Sequence, residues 1–271
     1  MTRIHPTAIV SADAELDSSV GVGPYAVIGP GVQIGAGTTI GSHAILKGPT
    51  VIGRDNRIFG FAVIGEDPQD KKYGGEPTRL EIGDRNTFRE FCSVHRGTVQ
   101  DKGITRVGND NWIMAYVHIA HDCVVANDVI CSNNTTLAGH VQVGDRAFLG
   151  GAALFHQFVR IGQLAMISGG ARMAQDVPPF AMAAERNEII GLNRVGIRRR
   201  GCPRETLGEL KRAFRAVYLA PGNIRELAAA ALAEGGYASA EGRAFLEFFA
   251  AGRRGFARAR RGGDVEPDVA D

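Results

Sequence analysis

An aliphatic residue returns at every sixth position over the first quarter of the chain: Ile4, Val10, Leu16, Val22, Ile28, Ile34, Ile40, Leu46, Ile52, Ile58 and Ile64. Four places after each stands a small or compact residue, as at Ala8, Ala14, Val20, Ala26, Val32 and Thr38. The column resumes at Ile82, Phe88 and Val94, and then runs every sixth residue from Val107 through Ile119, Cys131 and Leu149 to Met173. A period of six matches neither the turn of an α-helix nor the alternation of a simple strand. It predicts an all-β parallel β-helix, a prism with three short-stranded faces and 18 residues per coil. Each residue then lies over the one 18 positions earlier, at about the 4.8 Å strand spacing, and the sequence becomes a map of the surface.

Two stretches fit no hexad, 66–79 and 95–106. Both are polar and glycine-rich, so both must loop out of the prism, and long loops on a rigid frame commonly carry function or build oligomers. Pro178 and Pro179 are expected to stop the coil, since proline cannot donate to a ladder. Residues 1–190 are thus assigned to the β-helix. Beyond it the period changes, and Thr206–Leu219, Asn223–Glu234 and Ser239–Ala250 read as helices of a C-terminal α-helical domain, residues 191–251. Leu207, Leu210, Phe214, Val217 and Tyr218 form one apolar stripe. Residues 252–271, rich in arginine (Arg253, Arg254, Arg258, Arg260, Arg261) and then acidic, are expected to be a frayed tail.

Composition narrows the function classes. The 36 glycines beside 44% hydrophobic residues suit a turn-rich core of small aliphatics and exclude a disordered or collagen-like chain. A formal charge of +2 provides no global field for nucleic acid or an anionic membrane, so electrostatic recognition must be local; the arginine-rich tail lacks the aromatic platform of an RNA-binding arm. No run approaches the ~18 apolar residues of a membrane span, and the first residues lack a secretion signal, which reads as a cytoplasmic protein. Cys92, Cys123, Cys131 and Cys202 show no Cys-x-x-Cys spacing, and the first three fall on inward positions as core-fillers.

Chemistry has to come from residues that break this pattern. His121 is third in the hexad of Ile119; 18 residues on lies Gly139 beside His140, and 18 further lies Gln157 beside His156. One edge of the prism therefore collects three histidines and a glutamine. Read as a cleft, His121 is a general base and Asp122 its orienting partner, while Gly139 leaves room for a reacting carbonyl whose oxyanion its N–H can meet. His118, His121 and His140 also have tolerable spacing for a three-histidine zinc site, the chemistry of the β-helical carbonic anhydrases. A purely structural β-helix with surface histidines is the third reading.

Several segments in one order, Gln69–Arg79, Val94-His-Arg-Gly-Thr98, His118-Ile-Ala-His-Asp-Cys123, Leu137-Ala-Gly-His140, His156-Gln-Phe158, Ala174-Gln-Asp-Val-Pro-Pro179, Gly191-Leu-Asn193 and Arg198-Arg-Arg-Gly201, resemble the UDP-N-acetylglucosamine acyltransferase family of lipid A synthesis. The likeness runs from the N-terminus to about residue 250. It implies left-handed coiling, a homotrimer with sites between adjacent prisms, and transfer of a 3-hydroxyacyl chain from acyl carrier protein to the 3-position of UDP-GlcNAc. No metal is implied, and no cofactor beyond the carrier's own phosphopantetheine. By the resemblance His121 is the base, Asp122 orients it and the Gly139 amide meets the oxyanion. Asp70 and Lys72 contact the sugar, His118, His140, His156 and Gln157 line the cleft, and Asn193, Arg199 and Arg200 meet the nucleotide or the phosphopantetheine. Gly169 matches the position that keeps the acyl channel long. Arg198 to Arg200 with Lys211, Arg212 and Arg215 make a basic patch suited to an acidic carrier. Val195 stands where some members have a glutamate near the uracil, and 183–190 is a residue shorter than in some relatives.

Overall fold

The computed structural model describes residues 3–260. Sheets of twelve, nine and eight strands form the three sides of a prism, here called faces one, two and three in the order in which the chain first visits them. Most strands are two or three residues long and pair in parallel with the next coil: Val22 with Ile40 on face one, Ile28 with Leu46 on face two, Leu16 with Ile34 on face three. That 18-residue step is the one the hexads demand. The aliphatic column is buried from Val22 onward, whereas Ile4, at the open end of the prism, is 41% exposed. Cys92, Cys123 and Cys131 are buried in this core, and burial pushes the Cys92 and Cys123 thiols up to about 12, which makes them inert fillers.

Each edge of the prism has its own character. Inside the edge between faces three and one, Thr38, Asn56, Asn86 and Asn111 are all buried; the Asn86 amide donates to Asn56 Oδ1 at 3.0 Å and the Asn111 amide to Asn86 Oδ1 at 2.9 Å. Buried amides persist there because each finds a partner one coil away. The edge between faces one and two turns through Tyr25, His43, Phe61, Phe91 and Tyr116, with φ between 58° and 62°. Their exposed rings stack, consecutive centroids 4.8 to 5.2 Å apart.

Both loops leave from the remaining edge, between faces two and three. The coil-to-coil step lengthens to 30 residues across the first, where Arg57 pairs with Thr87, and to 25 across the second, where Thr87 pairs with Trp112. The loops are shorter than 66–79 and 95–106, because Glu66, Arg79, His95 and Ile104 to Arg106 already belong to strands. Buried Arg96 ties the loops together: its guanidinium donates to the Gly65 carbonyl at 2.6 Å, to the Tyr73 hydroxyl at 3.0 Å, and to Asp67.

Two boundaries differ from the expectation. The prolines do not end the coil; they occupy the turn before Ala181–Ala184, which joins face one beside Met166–Ile167 and then reverses into a hairpin with Glu188–Leu192. Helix α1, Arg194–Arg199, follows at once, and then α2 Arg204–Tyr218, α3 Ile224–Glu234 and α4 Ala240–Glu247, which runs on into a 3-10 turn, Phe248–Ala250. Leu210, Phe214 and Val217 of α2 are buried, with Leu207 and Tyr218 partly so, and Phe214 and Tyr218 pack beside Phe245 of α4. Finally, residues 252–260 are no frayed tail. Phe256 is buried, its ring 4.9 Å from Phe249, and Arg258–Ala259 pairs in parallel with Glu188–Ile189. That aromatic anchor overrides the charge around it. Residues 261–271, including Arg261, lie outside the described residues. No described helix is long and apolar enough to cross a membrane.

Candidate active site

On the loop-bearing edge the non-glycine positive-φ positions are Asp122, His140 and Phe158, and the residue before each is His121, Gly139 or Gln157. His121 Nδ1 lies 2.8 Å from Asp122 Oδ2, so its Nε2 is the nitrogen left for a substrate. Asp122 is buried, and the second loop wraps it: Thr98 donates its N–H to Oδ1 at 3.0 Å and its hydroxyl to Oδ2 at 2.6 Å, while the Asp122 N–H donates to Thr105 Oγ1 at 2.8 Å. Burial alone would raise this carboxyl, but the bonds from His121 and Thr98 outweigh it and hold the group below the ordinary carboxylate range. The dyad is therefore an imidazole fixed by a permanent anion.

Gly139 has a sharper role than an open space. A Cβ there would stand 2.6 Å from His121 Cε1 and 2.8 Å from Nε2. The room is filled by the His121 ring itself and is not left for a carbonyl, which corrects the expectation. The Gly139 N–H has no hydrogen-bond partner among the described residues and is available to a developing oxyanion. His140 meets His121 edge-on at 5.2 Å, stacks on Phe158 at 4.3 Å, and places Nδ1 3.0 Å from Asp101 Oδ2 in the second loop.

These groups open into a cleft of about 940 Å³, whose walls include Asp70 and Lys72 of the first loop, His121, Asp122 and His140 on the edge, Gln157, and Gly252 with Arg253 from the C-terminal segment. His118 and His156 are not in the lining of this cleft within one chain. His118 lies on face two, Nδ1 2.7 Å from Ser93 Oγ and its ring edge-on to buried His95 at 4.9 Å. Burial lowers both imidazoles, His95 to about 4 with His118 beside it. His156 is exposed, its Nδ1 3.2 Å from the Gln157 carbonyl.

The remaining expected residues sit on other edges. Asn193 caps α1, accepting from the Gly196 N–H at 3.0 Å, and donates to the Leu164 carbonyl at 2.9 Å. Arg200 pairs with Asp128 at 2.6 Å and Arg199 is exposed at the end of α1; Asn193 and Arg200 thus stand along the edge between faces three and one. Gly169 lies on the edge of the ring stack, facing the Gly151 carbonyl. None of the four lines the cleft of its own chain. Nor does the zinc set of the alternative reading gather. Among the described residues, the group whose donor atoms come within 4.8 Å of one another is His121, Asp122 and His140, without His118, and both oxygens of Asp122 already accept hydrogen bonds. Thr98, Thr105 and Asp101 were not singled out from the sequence. Thr98 stands in a motif that was noticed, but its burial depends on the path of the loop.

The family model described as Udp N-acetylglucosamine O-acyltransferase, Domain 2, matches residues 176–257, and that of the bacterial transferase hexapeptide matches 13–48 and 104–139. The acyl-[acyl-carrier-protein]–UDP-N-acetylglucosamine O-acyltransferase of Verminephrobacter eiseniae is 55% identical over 86% of this chain and 89% of its own; that of Thiobacillus denitrificans is 52% identical over 95% and 100%. The UDP-N-acetylglucosamine O-acyltransferase structure from Moraxella catarrhalis superposes with a TM-score of 0.91 at 43% identity, covering 94% of this chain and all of that one. The fold is thus the left-handed parallel β-helix with a helical end. The chain belongs to the UDP-N-acetylglucosamine O-acyltransferase family.

Proposed function

We propose that the protein transfers a 3-hydroxyacyl chain from acyl carrier protein to the 3-hydroxyl of UDP-GlcNAc, the first step of lipid A synthesis, with His121 as general base and no metal. The observation that carries the reading is the His121–Asp122 pair, with Nε2 unengaged beside a free backbone N–H. His121 Nε2 takes the proton of the sugar hydroxyl as its oxygen attacks the thioester carbon; the Gly139 N–H meets the carbonyl oxygen in the tetrahedral intermediate. Collapse breaks the C–S bond, and the imidazolium returns the proton to the departing phosphopantetheine thiolate. The Asp122 carboxylate stabilises the imidazolium and fixes the tautomer. A positioned base is worth ~10²–10⁴ in rate and an oxyanion donor ~10²–10³.

The active unit is a homotrimer in this reading. Asn193, Arg200 and Gly169 stand on edges other than that of His121, so a substrate that meets all of them spans two copies. Exposed Ile9 and Leu154 on face two supply apolar surface for the neighbour.

The test is mass spectrometry of UDP-GlcNAc incubated with a panel of 3-hydroxyacyl carrier proteins in EDTA, using wild type and His121→Ala. An acylated sugar nucleotide from wild type, reduced at least a hundredfold in the variant, is expected. Product from neither protein would place the donor or acceptor class in error; equal product from both would remove His121 from the role of base.

A further inference from the structure

The C-terminal segment lines the cleft at Gly252 and Arg253 before it pairs with Glu188–Ile189, and the contacts that hold it there are specific. Arg160 directs Nε to Asp176 Oδ2 at 2.8 Å, and its Nη2 to the Phe248 carbonyl at 3.0 Å and the Ala251 carbonyl at 2.6 Å. Its guanidinium also lies over the Phe248 ring, 4.2 Å from the centroid. Asp176 is fully buried. Gly252 passes this clasp with φ +120°, and a Cβ on it would come within 2.4 Å of Asp176 Oδ2 and 2.6 Å of Arg160 Nη2. Only glycine fits the path, and the next residue, Arg253, is thereby delivered into the cleft wall.

Arg253 has its guanidinium 5.3 Å from the centroid of Phe158, and Phe158 stacks on His140. No carboxylate pairs with Arg253 among the described residues. The edge thus presents, coil by coil, an anion, an imidazole, a phenyl ring and a free cation. A guanidinium spread on an aromatic face keeps its N–H groups pointing outward and suits a phosphate.

We infer that Arg253 is the anchor for the phosphodiester of the donor's phosphopantetheine arm; the inference rests on the acyltransferase reading above. Distance selects the donor. Phe158 lies two coils beyond Asp122, about 10 Å along the prism at the strand spacing, and Arg253 packs on its ring. In a UDP-hexosamine the sugar-linked phosphate is only a handful of bonds from the 3-hydroxyl, so with that hydroxyl on His121 this phosphate stays near the dyad. A pantetheine arm with its thioester at His121 is long enough to reach Arg253. The segment comes directly from the helical domain, where Arg198, Arg199, Lys211 and Arg215 offer charge to an acidic carrier.

The experiment compares two minimal donors, 3-hydroxyacyl-pantetheine and 3-hydroxyacyl-4′-phosphopantetheine, with wild type, Arg253→Met and Arg253→Lys. Wild type is expected to prefer the phosphorylated donor about tenfold or more in kcat/KM, the scale of a hydrogen bond to a charged group. Arg253→Met should lose that preference while its KM for UDP-GlcNAc and its kcat/KM for the unphosphorylated donor hold; Arg253→Lys should keep part of it. Full preference in Arg253→Met would overturn the inference, and so would a rise confined to the UDP-GlcNAc KM, which would give Arg253 to the nucleotide. Failure of wild type to acylate the sugar with either donor would instead refute the underlying reading.

Discussion

Along the edge between faces one and two, five successive positive-φ positions hold rings, Tyr25, His43, Phe61, Phe91 and Tyr116, before Asn134 and Ala152 follow; along the edge between faces two and three, the same backbone positions hold Asp122, His140 and Phe158. Both edges stack side chains once per coil at close to 5 Å. The first runs uninterrupted through five coils, and each ring meets another ring. The second is broken by two loops, and its members meet a threonine pair, an aspartate and an arginine from elsewhere in the chain. Stacking at the edge is therefore a property of the prism, and the site arises where long-range segments are laid over it. One further difference concerns the imidazole proposed as the base: His121 stands one residue ahead of the stack, where only a glycine in the next coil gives it room.

The comparison breaks most visibly at that glycine. Gly139→Ala forces the His121 ring aside, and a displacement of this size is expected to lower kcat about a hundredfold, with the thermal midpoint little changed; steady-state kinetics beside a melting curve checks it. Wild-type turnover in that variant would mean the ring need not sit where it does.

Acidification acts more gently, on the face that joins the two edges. The fold keeps His95 and His118 uncharged below their ordinary range, whereas the unfolded chain takes up protons below about 6.5. Stability should therefore be full above that pH and fall as pH drops from about 6.5 towards 4. Urea midpoints measured across this range should show the slope, reduced in His95→Phe; an unchanged slope in the variant would clear His95 of it. The smallest effect belongs to the ring stack. Phe61→Ala removes two stacked neighbours and should cost about 1 kcal/mol in equilibrium unfolding while kcat stays within twofold, and a tenfold loss of kcat would make this edge part of the site as well.

Much of this was legible because the fold repeats. A hexad names the inward residues, and the 18-residue step then gathers His121, Asp122, Gly139, His140 and Gln157 on one edge without any tertiary information. The same step could not follow chain that leaves the prism. Thr98 and Asp101 reach Asp122 and His140 through the path of a loop, and Arg253 reaches Phe158 through a clasp on Arg160, 88 to 91 residues from its partners. Asn193 shows the converse: the resemblance gives it as a contact of the nucleotide or the phosphopantetheine, and in its own chain it caps a helix. The boundary at Pro178 failed because proline is harmless in the turn before a strand, where no ladder bond is missed.

The buried amide column has a consequence for how the protein tolerates change of length. Asn56, Asn86 and Asn111 join successive coils across 30 and 25 residues as firmly as others are joined across 18, and they do so on the side away from the insertions. Extra chain is thus accommodated outside a core that does not sense it, and the entropy of a longer excursion grows only with the logarithm of its length, about 0.6 kcal/mol for each doubling. One corner of the prism can accept new segments at little thermodynamic penalty, and that is the corner where the histidine stands.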